Sequence, residues 1–285
     1  MAYFIIYTYQ FKPVSNPQTA FDREFIPLSE RMEKKQEYLD SFFKKESDNK
    51  FKFKNKHFKH KLLFNEGGVI IFKLANQKNT SFEEDFQKKQ LTVSPSCFVI
   101  IDNRKDIQRI YVEHRSASFS EPNFVANIIQ STFSRYLNGF GLNIEVDKEY
   151  QESEFWNIIK MYPQGVTMVR FQLKYPNLPR VWASVQEVIK DTSKDTNSHE
   201  TILQYKSDDD GCLEINEQNE QLNGLAKASA NSGSVITLKA KGVKAYIKTG
   251  NTEKGIEIDD LEIKLTQDLL ENAFEKIITA LNKTR

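Results

Sequence analysis

The chemistry-bearing residues of this sequence fall into a few short spacings, and each can be tested against the element that would carry it. Arg109-Ile110-Tyr111-Val112-Glu113-His114 has the Arg-x4-His spacing of a class of helical ribonucleases. Those two side chains must converge from a helix, whereas this segment alternates as a strand. Ile110, Val112 and His114 share one face and Arg109 takes the other, so a hairpin strand ending in a half-buried histidine is expected. Asp260, Glu262 and Lys264 share the face of an expected strand that precedes a helix. Carboxylates so placed can hold Mg²⁺ while the lysine stabilises developing charge, as in the restriction-type nuclease core. That core also needs an acid from the neighbouring strand, and the candidate neighbour, 235–247, has neither Asp nor Glu.

Asp208, Asp210, Gly211, Leu213, Glu214 and Glu217 match several positions of a calcium-binding EF-hand loop, but Lys206 stands where the first ligand belongs. Gly250-Asn251-Thr252-Glu253-Lys254-Gly255 has the glycine spacing of a phosphate loop. It lacks the Lys-Ser/Thr that should follow and is expected to join strand to strand, so no helix N-terminus would face a phosphate. His57 and His60 lie close together without further zinc ligands nearby. No Gly-x-Ser-x-Gly elbow, dinucleotide fingerprint or His-Glu-x-x-His occurs. No catalytic residue, metal ligand or cofactor is assigned on this basis.

The segment with directional charge is Lys50-Phe51-Lys52-Phe53-Lys54-Asn55-Lys56-His57-Phe58-Lys59-His60-Lys61. A strand through residue 56 would line Lys50, Lys52, Lys54 and Lys56 on one face, with Phe51 and Phe53 on the other. With Lys59 and Lys61 they form a candidate nucleic-acid strip, each neutralised phosphate adding a salt-dependent increment of affinity. Exposed aromatics could stack on bases. The plainer alternative packs the Phe side chains inward and leaves the lysines guarding an edge against unwanted pairing. Lys239, Lys241, Lys244 and Lys248 would extend the strip if the fold brought them near.

The elements that would hold these residues follow from periodicity. Residues 3–11 are aromatic and β-branched and stop at Pro13, which predicts a buried strand. Leu28, Met32, Leu39 and Phe42 predict a helix over 27–44. Strands 62–64 and 69–72 flank Asn65-Glu66-Gly67-Gly68, and 97–101 joins 107–113 through Asp102-Asn103-Arg104-Lys105, giving two hairpins. Phe124, Ile128, Ile129, Phe133, Tyr136 and Leu137 form the stripe of a helix capped by Ser120 and stopped at Asn138-Gly139. Strands are expected at 142–146, 166–175 and 202–205, and helices at 154–162, 181–190 and 217–230. A hairpin pairing 235–247 with 256–265 precedes a last helix striped by Leu269, Leu270, Ala273, Phe274, Ile277, Ile278 and Leu281. The polar stretch 191–200 is the expected linker, giving an N-terminal α+β domain over 1–190 and a smaller domain, or an extension of the same core, over 191–285. Local hairpins with irregularly interleaved helices predict an α+β class with a largely antiparallel sheet.

Bulk composition narrows the functional classes. The 285 residues are 39% hydrophobic, enough for a packed core, and 40 basic against 39 acidic side chains leave a net charge of +1. No global field therefore steers the chain toward nucleic acid or membrane; an electrostatic partner must use a local patch. Two cysteines, Cys97 and Cys212, are too few for a disulfide scaffold, and the apolar start lacks a basic leader. A cytosolic protein without a membrane span is expected.

Phe64-Asn65-Glu66-Gly67-Gly68, Pro95-Ser96-Cys97-Phe98-Val99-Ile100-Ile101-Asp102-Asn103-Arg104, Phe155-Trp156 and Tyr175-Pro176-Asn177, taken in order, resemble uncharacterised bacterial proteins carried in mobile phage-defence loci. The resemblance spans about the first two thirds of the chain and includes no catalytic motif. It implies a bacterial cytosolic component working beside other defence proteins, and it transfers no active-site residues. Three functions are weighed in order: a non-enzymatic sensor, adaptor or structural subunit that binds a protein partner or itself; a nucleic-acid-binding module using 50–61; and a divergent metal-dependent nuclease.

Overall fold

The computed structural model describes residues 2–14, 26–44, 50–105, 107–174, 192, 196, 198, 200–258 and 270–284. The chain has an α+β fold whose sheets are extensively antiparallel. It divides into two compact units: Met1–Val146 with Gly255–Arg285, and Asp147–Lys254.

The first unit is built on an eight-stranded sheet. Its strands are β1 (Ala2–Pro13), β2 (Phe51–Phe53), β3 (Lys56–Glu66), β4 (Val69–Ala75), β7 (Ser96–Asp102), β8 (Arg109–Glu113), β9 (Leu142–Lys148) and β14 (Gly255–Ile258). The order is β14-β1-β8-β7-β4-β3-β2, with β9 also pairing β1. The pairings of β14 with β1, β1 with β8, β8 with β7, β7 with β4, β4 with β3 and β3 with β2 are all antiparallel.

Alternation sorts the buried side chains onto the two sheet faces. Ile5, Tyr7, Tyr9, Phe11, Ile70, Phe72, Val99, Ile101, Ile110 and Val112 pack with α2 (Lys35–Lys44) and α3 (Pro122–Asn138), through Leu39, Phe42, Phe43, Ile128, Ile129 and Phe133. Phe4, Ile6, Val69, Ile71, Phe98, Ile100, Tyr111 and Ile258 form the opposite face, closed by Ile277 and Leu281 of the last helix, Leu270–Asn282. Central strands buried on both sides read as unbroken apolar runs, which is why β1, β4 and β7 are so plain in the sequence. A short helix, α1 (Leu28–Glu33), precedes α2.

The start and stop of α3 differ from expectation. Glu121 occupies the N-cap position without a side-chain cap, and Pro122 holds the first turn, where its missing N–H costs nothing. Gly139 stays right-handed at φ −61, and the positive φ falls at Gly141 (φ 68). The chain keeps turning through Phe140 N–H to Leu137 O and Gly141 N–H to Asn138 O. That extra turn stacks Phe140 on Tyr38 at 4.3 Å.

The second unit has its own core. Its sheet runs β11 (Glu200–Lys206), β10 (Val166–Lys174), β12 (Thr237–Ala240), β13 (Ile247–Lys248), and it is packed by α4 (Ser153–Met161) and α5 (Glu220–Asn231). Phe155, Trp156, Val169, Phe171, Leu173, Leu225, Ala226, Ile236 and Leu238 are buried together. The division falls at 146/147 and 254/255, whereas the sequence suggests 190/191, with 191–285 either a smaller domain or an extension of the same core. A cut at 190 would separate β10 from β11 and β12, its two partners in one sheet.

The expected hairpin of 235–247 with 256–265 is not formed: β12 folds back on β13, and β14 pairs β1. The strand expected over 235–247 is interrupted at Gly242, where φ is +76. The expected helix over 181–190, most of the linker 191–200, Tyr175-Pro176-Asn177 and 259–269 lie outside the described residues. A further two-stranded sheet, β5 (Lys78–Glu84) with β6 (Gln87–Val93), was not anticipated.

Candidate interaction sites

The basic segment is a hairpin rather than one strand. Phe51 pairs Phe58, Lys52 pairs His57, and Phe53 pairs Lys56, around a two-residue turn in which Lys54 takes φ +52. This divides the six candidate lysines, Lys50, Lys52, Lys54, Lys56, Lys59 and Lys61, among different environments, and the single row through Lys50, Lys52, Lys54 and Lys56 does not exist. Lys50 donates to Phe42 O at 3.2 Å, Lys54 lies over the Phe53 ring, and Lys56 donates to Asn76 Oδ1 at 2.8 Å. Phe51 and Phe58 are fully buried, so they cannot stack on bases. Lys52, Lys59 and Lys61 remain, with exposed His57 between them on the same sheet face.

The other spacings find structural explanations. Arg109 is buried and donates from Nη1 to Thr284 O at 2.7 Å, tying β8 to the end of the last helix. His114 is exposed instead of half-buried, because β8 ends at Glu113. Residues 207–211 close on themselves through Ser207 Oγ to Gly211 O and Gly211 N–H to Asp208 O, and β11 rather than a helix leads into them. Among the described residues no three His, Cys, Asp or Glu side chains gather to hold a metal ion. Asp260, Glu262 and Lys264 lie outside the described residues. Lys239 extends over Tyr246 and Lys241 donates to Asp210 O, so both are engaged within the second unit.

The glycine loop at 250–252 does bind an anion, but the anion is the protein's own. Glu154, in the first turn of α4 and 8% exposed, accepts from Gly250 N–H at 3.0 Å, Asn251 N–H at 3.0 Å and Thr252 N–H at 3.1 Å, and from Asn251 Nδ2 at 3.1 Å. Convergent backbone amides are filled by a side-chain carboxylate, which pins this loop to the helix.

A polar relay ties the first unit's sheet to α2. Tyr9 donates to Asn103 Oδ1 at 2.6 Å, and Asn103 Nδ2 donates to Gln36 O at 3.0 Å and Asp40 Oδ1 at 2.7 Å. Burial, then the nearby Asp102 and Asp40 charges, pushes the Tyr9 hydroxyl well up. Burial also raises the Asp40 carboxyl. Tyr9 and Asn103 are enclosed while Gln36 and Asp40 are only half-buried, and the relay acts as a fastening between β1, the β7–β8 turn and α2.

The feature that sequence reasoning missed is the β5–β6 hairpin. Seven residue pairs, from Lys78 with Val93 to Glu84 with Gln87, make a ladder about 20 Å long. Nearly all its residues are exposed, and its sheet contains no third strand. Asp85 (φ 52) and Phe86 (φ 61) form the turn, both left-handed, as a two-residue type I′ hairpin requires. Asp tolerates that conformation; a bulky aromatic rarely adopts it. Phe86 is 98% exposed, with Phe82 and Leu91 exposed on one face behind it. The only sequence signal was a weak alternation flanking Glu83-Glu84-Asp85-Phe86, which has no glycine or asparagine to mark a turn.

Among the described residues no helix is long and apolar enough to cross a membrane. No curated protein matches the sequence. The model of the family described as "Domain of unknown function (DUF4747)" matches residues 70–279, well over half of the chain, and the chain therefore belongs to that family.

Proposed function

We propose that the protein is a non-enzymatic component of a bacterial cytosolic multi-protein system, and that it grips a protein partner through the β5–β6 hairpin. Phe86 carries the reading. A fully exposed aromatic at a tip loses contact with water only when something else covers it, and its left-handed backbone is a local cost that the isolated fold does not repay. An aromatic anchor entering an apolar pocket is the usual centre of a protein interface. Glu83, Glu84, Asp85, Lys88 and Lys89 surround it with both signs of charge, the pattern of a polar rim. The resemblance to proteins of phage-defence loci supports a setting in which other defence proteins are available as partners.

The test compares capture from a host lysate by the wild-type chain, by Phe86→Gly and by Tyr246→Ser, which removes an exposed aromatic from the second unit. A partner retained by the wild type and Tyr246→Ser but lost by Phe86→Gly is expected. An identical set of captured proteins for all three would overturn the assignment.

A further inference from the structure

We infer that the open sheet face carrying Lys52, His57, Lys59 and Lys61 binds the phosphate backbone of nucleic acid without reading its sequence. This face is a different set of residues from the row that the sequence pattern offered, because the turn at Lys54-Asn55 folds the segment in two. In the hairpin, Lys52 stands directly opposite His57, and strand alternation brings Lys59 and Lys61 to the same side. Successive side chains on one face of a strand are about 6.5 Å apart, so His57, Lys59 and Lys61 form a straight track about 13 Å long, with Lys52 beside its first member.

The residue opposite the track on the neighbouring strand is also basic. Lys61 is paired with Lys73 of β4. Like charges directly opposite one another destabilise a sheet. Lys73 leans the other way, with its ammonium 4.4 Å from the Phe98 ring centroid on β7. Residues 50–61 contain no acid although the whole chain has 39, and Lys52, Lys59 and Lys61 form no ion pair among the described residues. An anion laid along the track would relieve this concentration of charge.

The chemistry of the ligand follows from what the face lacks. Phe51 and Phe58 point into the core and half-buried Phe53 packs on Phe124 from that same side, so this face offers no Phe for base stacking, and a flat sheet surface carrying lysines contacts phosphates rather than base edges. Lys52, His57, Lys59 and Lys61 have no exposed aromatic or large aliphatic side chain interleaved among them on this face to enter a lipid surface. A linear polyanion fits a linear track. The inference is independent of the hairpin reading, since β5 and β6 form a separate sheet.

The experiment is fluorescence anisotropy with labelled single-stranded and duplex oligonucleotides of two unrelated sequences, across a salt series. Three phosphate contacts, one to each lysine, give a slope of log affinity against log salt of about −3, or about a 50-fold loss between 50 and 200 mM salt. Lys59→Glu/Lys61→Glu should abolish measurable binding, Lys59→Ala/Lys61→Ala should flatten the slope by about 2, and Lys34→Glu/Lys105→Glu, exposed at the end of α1 and in the turn after β7, should leave it unchanged. The alanine pair covers the case in which the glutamate pair misfolds. Equal affinity of the wild type and the alanine pair, insensitivity to salt, or binding confined to phosphatidylserine vesicles would each overturn the inference. Loss of partner capture by Phe86→Gly with nucleic-acid binding intact would show that the two surfaces fail or succeed separately.

Discussion

Replacing Phe86 with glycine should strengthen the hairpin while weakening its grip on a partner. Phe86 sits at φ +61, where the β-carbon crowds the backbone, and such a residue costs about 1–2 kcal/mol relative to a relaxed one. Glycine removes that crowding and converts the turn to Asp-Gly, the preferred pair for this geometry. Its larger entropy in the opened chain returns about 0.5–1 kcal/mol, so the net gain is about 0.5–1 kcal/mol, or about a two- to fivefold rise in amide-exchange protection across 78–93. The binding side has the opposite sign. Burying a fully exposed phenylalanine contributes about 1.5–3 kcal/mol, so its loss should raise the dissociation constant about 10- to 150-fold. Hydrogen exchange reads the first effect and titration with the captured partner the second. If exchange in Phe86→Gly is unchanged or faster, the turn is not strained. If the affinity is unaltered, the tip is not the anchor.

Other residues carry separate expectations. Glu154→Ala leaves the amides of 250–252 without their carboxylate and should destabilise the second unit by about 2–4 kcal/mol in urea unfolding, whereas a change under about 0.5 kcal/mol would show the clasp to be incidental. Cys97 is buried, with its thiol pushed up to about 12 chiefly by burial, so one rapid equivalent of a thiol reagent, at exposed Cys212, is expected before unfolding and a second only after it. The Asp40 carboxyl is raised in the folded state, so folding favours its protonated form; stability is full below the ordinary value of 3.8 and declines as pH rises through the raised one. Asp40→Asn keeps an acceptor for Asn103 and should stabilise the protein at neutral pH by under about 1 kcal/mol, with no gain at strongly acidic pH. A gain that persists in acid would refute that account.

What was legible in the sequence was burial. β1, β4, β7, α3 and the last helix each bury a continuous run or a wide stripe, and periodicity reports that directly. Pairing between distant segments was not legible, because the same four residues, Gly255–Ile258, suit a local hairpin as well as the free edge of β1. The edge of β1 wins: Gly255, lacking a β-carbon, lets the Tyr3 side chain of β1 lie against its backbone. The basic segment was misread as one strand because a two-residue turn through Lys54-Asn55 carries no glycine. The tip at Asp85-Phe86 was invisible for the same reason, and both exceptions fall in the two regions proposed to bind.

The order in which the chain leaves the ribosome now matters. Residues 147–254 emerge as a block whose two ends zip together, Lys254 N–H donating to Glu149 O at 2.9 Å and Lys148 pairing with Glu253 at 2.9 Å. That block can finish folding during synthesis, while the earlier unit waits for β14 and the last helix to cover β1 and the face around Phe4, Ile6 and Phe98. A premature stop after 254 would thus spoil the part made first and spare the part made last.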